Sequence, residues 1–126
     1  MGRWMVDGMN VIGSRPDGWW RDRQGAAERL AADLGHWAAR EGASVLLVLD
    51  GRPFALRAPA GVTVAFAPRG GRNAADDEIA RRVDADPDPA ALTVVTSDGE
   101  LARRVRAAGA AVEGAGAFRG RLDAAR

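Results

Sequence analysis

Three apolar runs in this chain each end in an aspartate followed at once by glycine. Trp4-Met5-Val6 leads into Asp7-Gly8, Val45 to Leu49 into Asp50-Gly51, and Val94-Val95-Thr96-Ser97 into Asp98-Gly99. A short apolar run bounded by turn residues is the mark of a buried strand in a parallel sheet. An aspartate at its end carries a carboxylate out of the carboxyl edge, and the glycine lets the backbone turn sharply there. Three such edges could gather carboxylates around one hard divalent cation, which prefers oxygen ligands. Taken singly, each Asp-Gly pair is more often a turn. A two-residue hairpin, however, needs a second strand immediately afterwards. Instead, Glu100 to Val105 continues with helical period, and long polar loops are expected after Asp7-Gly8 and Asp50-Gly51.

At 126 residues the chain is expected to be one domain, residues 1–126, large enough to bury roughly two thirds of its unfolded surface without staples. It contains no Cys, which excludes disulfide frameworks, thiolate metal sites and Cys nucleophiles. No stretch approaches the ~18 apolar residues of a membrane span, and the start lacks the apolar core of a signal peptide. A cytoplasmic address without membrane attachment is the expectation. All 18 basic residues are Arg, and the net charge is +1, so any affinity for nucleic acid has to be local.

Short apolar segments alternate with helical ones. Residues 3 to 7 read as a strand and Val11 to Arg23 as a loop rich in Gly, Pro and Trp. From about Gln24 to Arg40, Ala27, Leu30, Leu34, Trp37 and Ala38 recur at helical spacing, with Arg29, Asp33 and Arg40 toward solvent, until Gly42 ends the helix. Val45 to Leu49 is a strand buried on both faces, and Val62 to Phe66 is a third strand. A helix from about Ala74 to Val83 starts at Asn73, Leu92 to Thr96 is a fourth strand, and Gly99 to Ala107 is a helix. Ala111 to Glu113 is a short fifth strand. The order β-α-β-β-α-β-α-β implies a three-layer α/β/α domain with a mostly parallel sheet. Ligands of such sheets sit beyond the carboxyl ends of the strands, near the topological switch point.

A further acidic group lies in Asp76-Asp77-Glu78, at the start of a helix. Acids in a first turn complement the helix dipole, and Asn73 stands where a cap is expected. Three consecutive acids exceed what capping needs, and around the helix they point in different directions, so one can face the sheet edge. Asp98 carries the same double reading, because Ser97 and Glu100 have capping-box spacing. A capping carboxylate can also be a ligand.

Residues 6–13, Val-Asp-Gly-Met-Asn-Val-Ile-Gly, resemble the Asp-Gly-Tyr-Asn-Val-Ile-Gly opening of the NYN domain family, in particular its YacP-like branch among the PIN-like nucleases. Val48-Leu49-Asp50-Gly51, Ala74-Ala75-Asp76-Asp77-Glu78-Ile79 and Val94-Val95-Thr96-Ser97-Asp98 resemble three further family segments in order. The resemblance implies strand order 3-2-1-4-5 and a Mg2+- or Mn2+-dependent ribonuclease. It also implies an acidic site of Asp7, Asp76 and Asp98 supported by Asp50 and Asp77, with Asn10 orienting a carboxylate or contacting substrate. Met9 stands where the family has Tyr, Ala74 where it has Thr, and the helical tail of longer relatives is absent after Arg126.

Substrate contacts are expected from nearby Arg and aromatic residues. Arg69 and Arg72 flank two glycines just before the Asp76 helix and could clamp phosphates bidentately, or form a solvated loop. Trp19, Trp20, Arg21 and Arg23 have a composition suited to stacking and backbone contact with single-stranded RNA, although such Trp residues often roof a core. Ser97 is a further candidate contact. Trp4 and Trp37 read as core, Arg81-Arg82 and Arg103-Arg104 as solvated helix faces, and His36, the only His, as a surface or packed residue. Two rivals remain open: a non-catalytic RNA-binding or ribosome-associated adaptor, and a metal-dependent phosphohydrolase of small molecules. Dinucleotide binding is excluded because the first turn lacks Gly-x-Gly-x-x-Gly.

Overall fold

The structure, a computed structural model, describes residues 2–68, 71 and 73–126. Five strands, β1 (Arg3–Asp7), β2 (Ser44–Leu49), β3 (Val62–Phe66), β4 (Leu92–Val95) and β5 (Ala111–Glu113), form one sheet in the order β3-β2-β1-β4-β5. Every neighbouring pair is parallel. The order 3-2-1-4-5 is therefore present, and the sheet is wholly rather than mostly parallel. The direction of strand addition reverses between β1 and β4, which makes the crevice past their carboxyl ends the topological switch point.

Alternation along the strands feeds two cores. Val6, Leu47 and Val95 face α1 (Gly8–Gly13), α2 (Arg23–Glu41) and α5 (Ala115–Ala124). Met5, Val48 and Val94 face α3 (Ala74–Asp84) and α4 (Gly99–Ala107). The larger core is anchored by aromatics: Trp4 meets Trp37 edge-on with ring centroids 4.9 Å apart, and Trp37 meets Phe118 at 5.0 Å. Offset and edge-on geometry of this kind lets the ring quadrupoles attract as well as exclude water. Both Trp4 and Trp37 thus belong to the core. No helix among the described residues is long and apolar enough to cross a membrane.

Several expectations are corrected. The chain beyond Asp7 is no loop: Gly8–Gly13 is a helix that buries Val11 and Ile12, and Trp19–Arg21 is a 3₁₀ turn. A six-residue helix with glycine at both ends has little intrinsic propensity, so packing on the sheet stabilises it. The helix α5 also escaped the periodicity reading, because Gly116 and Gly120 dilute a pattern in which Ala115, Phe118 and Leu122 are buried. Asp33 does not face open solvent. It is mostly buried and pairs with Arg126 at 2.7 Å and Arg119 at 3.8 Å. Nor are Arg81 and Arg82 an ordinary solvated face, since both hold the buried Glu78, at 2.7 and 2.6 Å. A carboxylate placed by the helix repeat against the sheet needs such partners to remain charged there.

Candidate active site at the carboxyl edge of the sheet

Parallel register sets the first relationships. Asp7 ends β1 opposite Val48 of β2, so Asp50 leaves the neighbouring strand two residues further on. On the other side Val6 pairs with Val95, which places Thr96 beside Asp7 and Asp98 just beyond. Asp7 falls on the same face as Met5, toward α3 and α4. It is 3% exposed and accepts a hydrogen bond from the Thr96 hydroxyl at 3.2 Å. The same Thr96 oxygen accepts from the backbone N–H of Asp98 at 3.1 Å. One buried threonine thus ties the exits of β1 and β4 together. No role was assigned to it from the sequence, although a strand-end Thr two residues before an Asp is a recognisable side-chain turn.

Asn10 and Ser97 complete this tie. The Asn10 side-chain oxygen accepts from the Ser97 N–H at 2.9 Å, and the Ser97 hydroxyl accepts from the Ala115 N–H at 2.8 Å, at the start of α5. Asn10 therefore fixes the backbone that presents Asp98. Asp98 itself caps α4 by accepting from the Leu101 N–H at 2.8 Å. That corrects the capping-box expectation, since the cap falls on Asp98 rather than Ser97. Asn73 occupies the capping position of α3 without a side-chain hydrogen bond.

Of the three acids opening α3, Asp76 is half-buried, Asp77 is exposed and reaches Arg104 at 3.4 Å, and Glu78 is buried with its arginines. Asp76 is the one turned to the strand exits. It lines a small pocket of about 140 Å³ together with Asn73, Asp77, Asp98, Leu101 and Arg104. A hollow of about 510 Å³ lies at the opposite, amino end of the sheet, where Arg3 pairs with Asp86, and it collects none of the strand-end acids.

Electrostatics mark the acidic edge. Burial pushes the Asp7 carboxyl up to about 6, with repulsion from Asp76 and, less, Asp50; the Thr96 hydroxyl and the backbone N–H of Asn10 pull it partly back. Asp76 is also raised, by burial first and then by Asp98 and Asp77, against the nearby Arg104. Carboxylates that disfavour one another's ionisation suit a divalent cation, both by charge and by their oxygen-only donor set. Among the described residues, however, no group of three or more His, Cys, Asp or Glu side chains already stands at metal-holding distances.

Of the remaining expected contacts, Arg23 comes near this edge, sharing a recess with Asp50. Trp19 packs half-buried against the larger core, while Trp20 is 52% exposed. The guanidinium of Arg23 lies 5.2 Å from the Trp19 ring centre and that of Arg21 5.8 Å from the Trp20 ring. Arg69 and Arg72 lie outside the described residues.

A family profile described as the YacP-like NYN domain matches residues 4–126. In structure, the chain is similar to Rae1 (YacP) from Bacillus subtilis, in a mutant form with TM-score 0.81 and 23% identity, covering 99% of this chain and 77% of that one. A second crystal structure of the same protein gives TM-score 0.80 at 22% identity, covering 99% and 75%. No curated protein matches in sequence. With the ordered motifs, the sheet order and a profile match over nearly every residue in agreement, this chain belongs to the YacP-like NYN domain family, whose fold is that of the PIN-like nucleases.

Proposed function

We propose that this protein is a divalent-metal-dependent ribonuclease, acting on single-stranded RNA in the cytoplasm as one domain. The observation that carries the reading is the convergence on the switch point of carboxylates from the β1 exit, the β4 exit and the α3 start. Asp7, Asp76 and Asp98 would hold Mg2+ or Mn2+, with Asp50 and Asp77 at the rim. When bound, such an ion supplies charge neutralisation at the phosphate and a lowered pKa for the attacking water.

The chain's own part is positioning. Asp7 is fixed by Thr96, and Asp98 by its cap and by the strand exit that Asn10 holds. Preorganised carboxylates of this kind spend little free energy on reorganisation when substrate arrives. Trp20 with Arg21, and Trp19 with Arg23, offer stacking and phosphate contacts at the margin, and Ser97, Arg69 and Arg72 are further contacts in this reading.

A specific observation favours a second reading. Because no three His, Cys, Asp or Glu side chains among the described residues stand at metal-holding distances, a non-catalytic RNA-binding or ribosome-associated adaptor would keep the edge without cutting. Incubating the protein with a mixed RNA pool in Mg2+, Mn2+ or EDTA, and mapping the ends, separates the two. Cleavage that needs metal and falls at least a hundredfold in both Asp7→Asn and Asp98→Asn supports the nuclease. Binding without cleavage, unaffected by both substitutions, supports the adaptor. Thermal melts add a readout that needs no activity: Mn2+ should raise the melting temperature of the wild type more than that of Asp7→Asn.

A further inference from the structure

A second cavity lies on the other face of the same edge. It measures about 220 Å³ and is walled by Met9 of α1, Ala27 of α2, Leu49 at the end of β2 and Phe54 beyond it. Ala27 and Leu49 are buried in the larger core, and Met9 and Phe54 are half-buried against it. Phe54 is held edge-on to Phe66, with ring centres 5.5 Å apart. The slot is therefore a recess with apolar inner walls, one of them an aromatic ring braced from behind.

Its rim is polar. Arg23 and Gln24 reach it from the start of α2, and Asp50 from the end of β2. Arg23 is the residue whose guanidinium lies over Trp19, so the stacked pair and the recess are continuous. Asp50 joins the recess to the acidic edge, because it leaves the strand next to Asp7.

We propose that this recess is a binding slot for one unpaired nucleobase of an RNA strand whose backbone passes the Asp7–Asp98 edge. The size favours one ring system over a whole drug-sized ligand, for which cavities begin at roughly 300 Å³. Apolar walls and an aromatic side chain accept a flat heteroaromatic ring of any base. The Gln24 amide offers both a donor and an acceptor to the ring edge. Arg23 is placed to meet a flanking phosphate.

The proposal rests on the RNA reading above, but it is tested without any cleavage. The chain has three methionines. Met9 lines the slot, and Met5 is buried in the core across the sheet, so the methyl resonances of 13C-methionine-labelled protein give a reporter and an internal control. Titration in EDTA with AMP, GMP, CMP and UMP should shift Met9, saturably, and leave Met5 in place. Ribose 5-phosphate should leave both unmoved. A 2′-O-methyl tetranucleotide should saturate Met9 at a concentration at least tenfold lower than the mononucleotides, as a strand held at several points requires. Phe54→Ala should weaken the tetranucleotide about tenfold, and the surface change Gln24→Ala two- to threefold, with Met5 reporting that both variants remain folded. A Met9 signal silent to every nucleotide, or moved equally by ribose 5-phosphate, overturns the slot. A tetranucleotide no tighter than GMP overturns the strand assignment in favour of a free-nucleotide site. Metal-dependent RNA cleavage alongside a silent Met9 overturns the slot alone; a shifted Met9 in a protein that cuts no RNA overturns the nuclease reading alone.

Discussion

The exits of β1 and β4 carry the same sequence signal, Asp then Gly, and both lead into a helix in the structure, yet different forces shape them. Asp7 is buried and carries a carboxyl pushed up to about 6 by burial and by its acidic neighbours. Asp98 is half-buried and is bonded to the Leu101 N–H as the cap of α4. The glycines differ as much. A Cβ on Gly8 would meet Leu49 Cδ2 at 2.6 Å, Leu47 Cδ1 at 2.9 Å and the Val48 carbonyl oxygen at 3.0 Å, whereas one on Gly99 would meet nothing within 4 Å. Gly8 exists so that α1 can lie against β2. The third pair has yet another cause, because Gly51 adopts φ +85°, a left-handed conformation that side chains resist. One dipeptide thus serves close approach, capping and backbone handedness at three places. The acid at β1 is held where its own ionisation is disfavoured, and the acid at β4 is a structural anchor.

The largest stability effect expected from this contrast is at Gly8. Gly8→Ala should cost about 3 kcal/mol, since two core leucines and a backbone carbonyl must shift to admit the methyl. A urea titration checks it, and a loss below about 0.5 kcal/mol would remove the close-approach argument.

Asp7→Asn comes next. In the folded, metal-free protein Asp7 binds its proton more tightly than in the unfolded chain, where the ordinary value is 3.8. The wild type should therefore lose stability as pH rises from about 4 to about 6, and the deficit should persist above that. Asn retains an acceptor for Thr96 without the charge, so the mutant should be more stable at pH 7 by on the order of 2 kcal/mol. The advantage should vanish below about pH 4. A mutant less stable than wild type at pH 7 would make Asp7 a structural anchor like Asp98.

Smaller effects follow at the other two glycines. Gly51→Ala should cost about 1 kcal/mol through its positive φ. Gly99→Ala should be neutral or stabilise by about 0.5 kcal/mol, because alanine suits the first turn of a helix and nothing stands in its way. Chemical denaturation of the pair gives the comparison directly, and equal costs at both would erase the distinction between the exits.

Much of this molecule follows from the order of its residues. Apolar runs such as Val45 to Leu49 can be satisfied only inside a parallel sheet, and each of the five strands lies within a residue of its expected bounds. The long amphipathic α2 is legible for the same reason, its stripe of Leu30, Leu34 and Trp37 having one way to be buried. The acids at strand ends were visible because position 7 or 98 at the close of an apolar run is locally defined. Other features depend on neighbours distant in the chain. The helices α1 and α5 form because the sheet accepts Val11, Ile12, Phe118 and Leu122, although their glycines argue against helix locally. Which of Asp76, Asp77 and Glu78 faces the site is set by the rotation of α3 on the sheet. No local rule supplies that angle, and it leaves Glu78 buried with arginines and Asp76 at the pocket. Thr96 acquires its role only when parallel register brings it beside a carboxylate 89 residues away in sequence. Sequence alone determined where carboxylates leave the strands, because strand ends are a local matter of burial and turn. Tertiary structure decided which of them share a crevice and which merely hold a helix, because burial and repulsion between distant residues exist only once the layers have met.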